Sequence, residues 1–273
     1  MIPYSKDYYI SRSSDVMKDA SILVPILIDL FQPDSVIDVG CACGEWLSVF
    51  KEKGIDNVYG VDSNWIDKSL LRIPVEQFLS HDLSKSLNIE NVFDLVLCLE
   101  VAEHLPLTSS DVLINSLIRL GPVIVFSAAI PYQGGYHHIN EQWQSFWADK
   151  FRAKGYIVID CLRELLWNQP ISFWYSQNIL IFVDQEFFQY IQSHHLIFKR
   201  NYVLPISFVH PEMLATVVSR YEEYIQELEQ KSLINSSIRK IIVVLLFKAK
   251  TKIINNIKNI FVFLIIQTWN IRA

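Results

Sequence analysis

An α/β architecture, a doubly wound and mostly parallel seven-stranded sheet followed by a C-terminal helical extension, is the fold class that this chain predicts. Three observations carry that reading. Seven short runs rich in β-branched and apolar residues alternate with segments of helical period. Several of the runs are almost continuously apolar, as strands covered on both faces must be. Small residues and carboxylates cluster just past the ends of the runs, where an open α/β sheet forms its ligand crevice.

Taken in order, Ser14 and Asp15 cap a helical pattern over residues 14–31 (Val16, Ala20, Leu23, Val24, Leu27), with Pro25 a kink point. Val36 to Val39 is the first strand. It breaks at a Gly/Cys/Ala loop, and Glu45-Trp46-Leu47 opens a helix that Gly54 stops. The second strand, Asn57 to Asp62, ends in a carboxylate. Gln77 to Leu83 gives the third strand end, Phe93 to Glu100 the fourth strand, Ser109 to Leu120 a helix, and Val123 to Ala128 the fifth strand. Glu141 to Lys154 reads as helical with Gly155 as its stop, and Tyr156–Cys161 and Asn178–Val183 complete the sheet.

The loop Asp38-Val39-Gly40-Cys41-Ala42-Cys43-Gly44 joins a strand to a helix N-terminus, where unpaired N–H groups face a ligand and small residues let it approach closely. The dinucleotide fingerprint would want glycine at 40, 42 and 45, but 42 is Ala and 45 is Glu. The spacing Asp-x-Gly-x-(Gly/Ala)-x-Gly instead resembles motif I of the class I S-adenosylmethionine-dependent methyltransferases. An acid after the second strand (Asp62), an Asp after the third (Asp82) and Glu100-Val101-Ala102-Glu103-His104-Leu105 after the fourth extend the resemblance over residues 14–185. It implies S-adenosyl-L-methionine as cofactor, held by Asp38, Gly40, Cys41, Gly44, Asp62, Asp82, Leu83 and Glu100. Asp62 is expected on the ribose hydroxyls and Asp82 at the adenine amino group. Domain limits follow: 1–190 as the cofactor-binding domain, 191–273 as linker and basic amphipathic extension.

Phe126-Ser127-Ala128-Ala129-Ile130-Pro131, Gly134-Gly135, His138-x-Asn140-Glu141-Gln142-Trp143 and Tyr175-x-Gln177-Asn178 are similar to a bacterial subgroup associated with surface-polysaccharide or secondary-metabolite assembly. That subgroup usually has Gly where this chain has Ala42. The resemblance implies O-methylation of a sugar or glycan-related small-molecule hydroxyl. Two other functions stay open: a cofactor-binding regulatory protein without turnover, and an RNA 2′-O-methyltransferase.

A hydroxyl acceptor needs its proton removed or its oxygen polarised. Glu103, His104 and His138 are the candidate catalytic residues. The spacing of Glu100, Glu103 and His104 puts all three on one face if that turn is helical, with His137 the alternative to His138. Small-RNA 3′-terminal 2′-O-methyltransferases and ubiquinone-pathway O-methyltransferases bind a divalent cation through Glu-x-x-Glu-His and a later His. Glu100, Glu103, His104 and His138 would therefore hold Mg²⁺ or Mn²⁺ if the resemblance extends that far. The metal-free reading, loop orientation or a general base, stays beside it. Trp143, Phe146, Trp147, Trp167, Phe173, Trp174 and Tyr175 mostly fill the core in this reading, with one or two left for an acceptor wall.

Charge is divided along the chain. All 29 acids lie at or before Glu229, while eight basic residues follow it, so residues 1–230 carry 16 basic against 29 acidic groups. The acidic body argues against a nucleic-acid partner. Four cysteines without metal or disulfide spacing, and no signal-peptide pattern, point to the cytoplasm. Residues 186–210 read as an irregular link and 212–230 as an acidic helix. Residues 236–273 have an apolar stripe, basic flanks and no acid. That composition suits peripheral contact with the inner face of an anionic membrane, or packing in a homodimer.

Overall fold

Neighbouring residues of the central strands fall into two separate apolar clusters, which is how both faces of the sheet come to be covered. Val36, Leu95, Leu97, Leu99, Val123 and Val125 belong to one cluster. Ile37, Val39, Val96, Cys98, Ile124 and Phe126 belong to the other. This is the period-two alternation of a strand with a helical layer on each side. The computed structural model describes residues 4–194 and 207–230.

The strands are β1 (Ser35–Val39), β2 (Asn57–Asp62), β3 (Phe78–Ser80), β4 (Leu95–Leu99), β5 (Val123–Ser127), β6 (Tyr156–Ile159) and β7 (Leu180–Asp184). Their order is β3-β2-β1-β4-β5-β7-β6. All neighbours up to β5 pair in parallel, while β7 runs antiparallel to both β5 and β6. The chain reverses direction across the sheet between β1 and β4, so the crevice expected at such a switch point opens past the ends of those strands.

Helix α1 (Lys6–Phe31) starts earlier than the hydrophobic pattern indicates. The hydroxyl of Ser5 accepts from the Tyr8 N–H at 3.2 Å and caps it. Its buried stripe (Ala20, Leu23, Val24, Leu27, Leu30) lies against the sheet's first cluster together with α2 (Glu45–Glu52). Helices α3 (Ser110–Leu120) and α4 (Gln144–Arg152) cover the other face. There Phe151 stacks on Phe182 with ring centroids 3.8 Å apart. Helices α5 (Leu162–Leu166) and α6 (Phe173–Asn178) fill the connection from β6 to β7.

Three expectations need correction. Helix α4 begins at Gln144 and not at Glu141, because the Glu141 carboxylate is engaged by the backbone of the preceding loop. Asn178 ends α6 instead of opening the last strand. The start of the expected irregular link is helical, α7 (Gln185–His194), capped by the Asp184 carboxylate on the Phe187 N–H at 2.7 Å.

The chain divides into two compact units, residues 1–208 and 209–273, beyond the 190/191 division read from the sequence. Ser207 and Phe208 belong to the first: the Ser145 N–H donates to Ser207 Oγ and Gln144 Nε2 to the Phe208 carbonyl. In the second, α8 (Pro211–Gln230) is the acidic helix expected there. The basic stretch 236–273, with its membrane-surface and dimer readings, lies outside the described residues. No helix among the described residues is long and apolar enough to cross a membrane.

Candidate functional site

The loop after β1 takes a backbone course that few side chains tolerate. Gly40, Ala42 and Gly44 all have positive φ, at 94°, 48° and 84°. Ala42 therefore occupies the left-handed region at a cost of about 1 kcal/mol relative to glycine, and the loop keeps its shape without the usual Gly. Gly40 is required on a second count, since a Cβ there would lie 2.2 Å from Val101 Cγ2.

Asp62, at the end of β2, faces this loop. Its carboxylate accepts from the Ala42 N–H (2.8 Å) and from the N–H and hydroxyl of Ser63 (2.6 and 2.9 Å). Three of roughly four acceptor positions are thus taken by protein donors, one of them the rotatable Ser63 hydroxyl. Burial nonetheless raises the Asp62 pKa against those bonds. Asp38 lies beneath the loop, 1% exposed, with Oδ2 unpaired. Burial first, then the charges of Asp62 and Glu45, hold its pKa well above the ordinary range. Cys41 is turned inward toward Gly60, and Leu83 belongs to the second apolar cluster, so the side chains of both are core groups. Asp82 is half-exposed at the end of β3. Its carboxylate accepts from the Ser84 hydroxyl (2.6 Å) and N–H (3.0 Å), which lowers its pKa.

Past β4 the chain makes a sharp turn. Glu100 sits at φ 54°, and Ala102–His104 form one 3-10 turn. The left-handed residue takes Glu100 off the helical face that the spacing predicted. Its carboxylate accepts from Asn178 Nδ2 (3.1 Å) and Gln133 Nε2 (3.0 Å), within a buried amide network that includes Gln177. Glu103 is fully buried, and neither carboxylate oxygen has a hydrogen bond of good geometry, the backbone of Glu103 and Ala129 and the Glu100 carboxyl being its nearest polar contacts. Burial, then the charge of Glu100, raises its pKa well above the ordinary value.

Glu103, His104 and His138 each offer a ligand atom, and those atoms lie within 4.8 Å of one another. Glu100 is not part of that group. His138 and not His137 enters it: the His138 ring lies over Gly135, where a Cβ would come within 2.3 Å of Nε2, while exposed His137 packs against Tyr136. The turn and the loop are clasped together, because the Glu103 carbonyl accepts the N–H groups of both Ile139 and Asn140. Glu141 orders the loop further by accepting from Tyr132 N–H, Gly134 N–H and His138 Nδ1 at 2.8, 2.6 and 3.0 Å.

Sequence reasoning gave no role to Tyr4, Gln133, Gly135, Glu141 or Asn178. The last three stood inside recognised motifs, and Gln133 lies between two of them. Tyr4 had no signal, being 100 positions from His104, its partner at 3.0 Å. The aromatic residues beside the group are Tyr4, Tyr8, Tyr136 and His137. Of the aromatic residues expected mostly in the core, Trp147 and Tyr175 are buried there and Trp143 is exposed.

Burial, then the charge of His138, lowers the His104 pKa from 6.5 to about 4. A depressed value means that stability is full above 6.5 and is lost as pH falls toward 4, on the order of 3 kcal/mol in all. Urea unfolding from pH 7 to 4 should show that loss in the wild type and a flatter profile in His104→Gln. Equal slopes would refute the assignment.

A family described as "Methyltransferase domain" matches residues 17–169. Among solved structures, DesVI of Streptomyces venezuelae is similar with a TM-score of 0.50 at 14% identity, covering 65% of this chain and 95% of that one. The magnesium protoporphyrin IX methyltransferase of Synechocystis PCC 6803 with bound S-adenosylmethionine has a TM-score of 0.46 at 19% identity, covering 66% and 83%. An O-methyltransferase family protein from Burkholderia thailandensis has 0.49 at 12%, covering 67% and 61%. No protein of curated description matches the sequence. With more than half of its length matched and a mostly parallel seven-stranded sheet around the Gly40–Gly44 loop, the chain belongs to this methyltransferase family and carries the class I S-adenosylmethionine-dependent fold.

Proposed function

We propose that the chain transfers the methyl group of S-adenosylmethionine to a hydroxyl of a sugar or other sugar-containing small molecule, with Glu103, His104 and His138 at the acceptor oxygen. The observation that carries this reading is Glu103, a fully buried carboxylate whose ligand atom lies within 4.8 Å of those of two imidazoles. A buried carboxylate so placed suits a polar ligand that can share a proton with it. In the transfer the acceptor oxygen forms a bond to the methyl carbon as the carbon–sulfur bond breaks. The sulfonium becomes a neutral thioether, and the hydroxyl proton passes to an imidazole or to the carboxylate. Tyr4, Tyr8 and Tyr136 offer ring faces on which the C–H faces of a sugar pack well.

A second reading adds a divalent cation. The donor set of one carboxylate and two imidazoles within 4.8 Å fits one, and Glu103, His104 and His138 would hold it. Glu100 would orient the turn through its bonds to Gln133 and Asn178 and not ligate. Such an ion, when bound, makes a hydroxyl at its open position more acidic.

Methyl transfer to nucleotide sugars and lipid-linked glycans, with and without chelator, tests both. Glu103→Gln should lower kcat at least 100-fold while leaving S-adenosylhomocysteine binding unchanged. Loss of activity with chelator and its return with Mn²⁺ or Mg²⁺ selects the cation reading; indifference to chelator selects the metal-free one. Wild-type turnover in Glu103→Gln would discard both, and labelling of no sugar hydroxyl would discard the acceptor class.

A further inference from the structure

The Tyr4 phenol lies between two groups. Its oxygen is 3.0 Å from His104 Nδ1 and 3.4 Å from the Tyr136 carbonyl oxygen. The Tyr136 carbonyl can only accept, and the His104 ring also hydrogen-bonds the His137 backbone, so the arrangement that serves every group directs the phenol proton to Tyr136. The phenol oxygen is then left to accept, and the proton it accepts is on Nδ1 of His104. We infer that Tyr4 is a positioning residue that fixes His104 as the Nδ1–H tautomer and leaves the lone pair of the imidazole on Nε2. His138 is held alike, because the Glu141 carboxylate 3.0 Å from its Nδ1 can accept but not donate. Two histidines of the group thus have the same nitrogen engaged from outside it, a coincidence that mere packing does not require.

Tyr4 is held for this task. Its ring packs against Tyr8, Tyr9 and Tyr136, with centroids 4.8, 6.0 and 5.6 Å away. The helix behind it is fastened to the segment after β2. Lys6 Nζ donates to Asp67 Oδ2 (2.9 Å) and Ser69 Oγ (3.2 Å), and Arg72 Nε donates to Ser13 Oγ (3.1 Å). Residues 4–13 precede the family match, which begins at 17. The orientation of a histidine inside the matched domain is therefore set by a segment outside it. The catalytic meaning rests on the proposed role of His104, but the tautomer does not.

The test is ¹⁵N NMR of the ring nitrogens in histidine-labelled full-length protein, with the His104 signals assigned from their absence in His104→Gln. In the wild type Nδ1 should show the shift of a protonated nitrogen and Nε2 that of an unprotonated one. Tyr4→Phe keeps the ring stack but removes the hydroxyl. It should move both shifts toward the averaged or Nε2–H pattern, and leave S-adenosylhomocysteine affinity within twofold as a check on folding. Transfer by that variant should fall roughly 10-fold or more in kcat, with less change in KM. Identical His104 shifts in wild type and Tyr4→Phe, or an Nε2–H tautomer in the wild type, would overturn the inference. A wild type with altered shifts in Tyr4→Phe but no transfer to any hydroxyl would count against the proposed function alone and uphold the tautomer assignment.

Discussion

Gly40→Ala is expected to lower stability by about 2–5 kcal/mol and to weaken S-adenosylhomocysteine binding by at least 10-fold. Two independent costs add. The residue stands at φ 94°, outside what an L side chain adopts without strain of about 1–2 kcal/mol. The new Cβ would also lie 2.2 Å from Val101 Cγ2, a β-branched side chain only 8% exposed, so overpacking contributes about 1–3 kcal/mol more. Relief by moving Val101 is not local. Its carbonyl accepts the His104 N–H at 3.0 Å, so a shift there moves the turn that carries Glu103 and His104. Urea unfolding and calorimetric titration check the two effects. A variant within 1 kcal/mol of wild type would mean that the loop has room the structure does not show.

Arg163→Met should cost about 3–5 kcal/mol, because it strands a buried carboxylate. Arg163 is 1% exposed and Asp160 9%. They form a two-point ion pair, Nε to Oδ1 at 2.7 Å and Nη2 to Oδ2, while Nη1 reaches the Gln177 carbonyl at 3.3 Å and the guanidinium lies 3.8 Å from the centre of the Phe208 ring. The desolvation of both charges is already spent in the folded protein. Replacing both partners with apolar residues, Asp160→Leu with Arg163→Met, should thus recover most of the loss, to within about 2 kcal/mol of wild type. A single variant as stable as wild type, or a double variant worse than the single, would contradict this account.

Much of the fold could be read from residues alone because its signals are local. Val36–Val39 and Leu95–Leu99 are runs that only a strand covered on both faces would carry, and Gly40 and Gly44 mark a turn that needs positive φ. Hidden features were those fixed by distant partners. The first turns of α1 lack an apolar stripe, since Tyr4, Tyr8 and Arg12 meet loops far along the chain or each other. Glu100 is no glycine, so nothing in the sequence marks its left-handed turn, and with it the removal of its carboxylate from the group formed by Glu103 and His104. The direction of β7 was likewise illegible, because a buried strand reads the same parallel or antiparallel.

That inserted strand also fixes when the protein can become whole during synthesis. Strand β6 pairs with β7 and not with β5, so it leaves the ribosome ahead of the partner that covers its edge. Residues up to Ser127 can meanwhile assemble β1 to β5 by parallel pairing. Asn178, which orients Glu100, arrives just before β7. A nascent chain stalled between Ile159 and Leu180 would thus present a nearly finished sheet with one unpaired strand, a species prone to edge-to-edge association and not yet able to order the Glu100 turn.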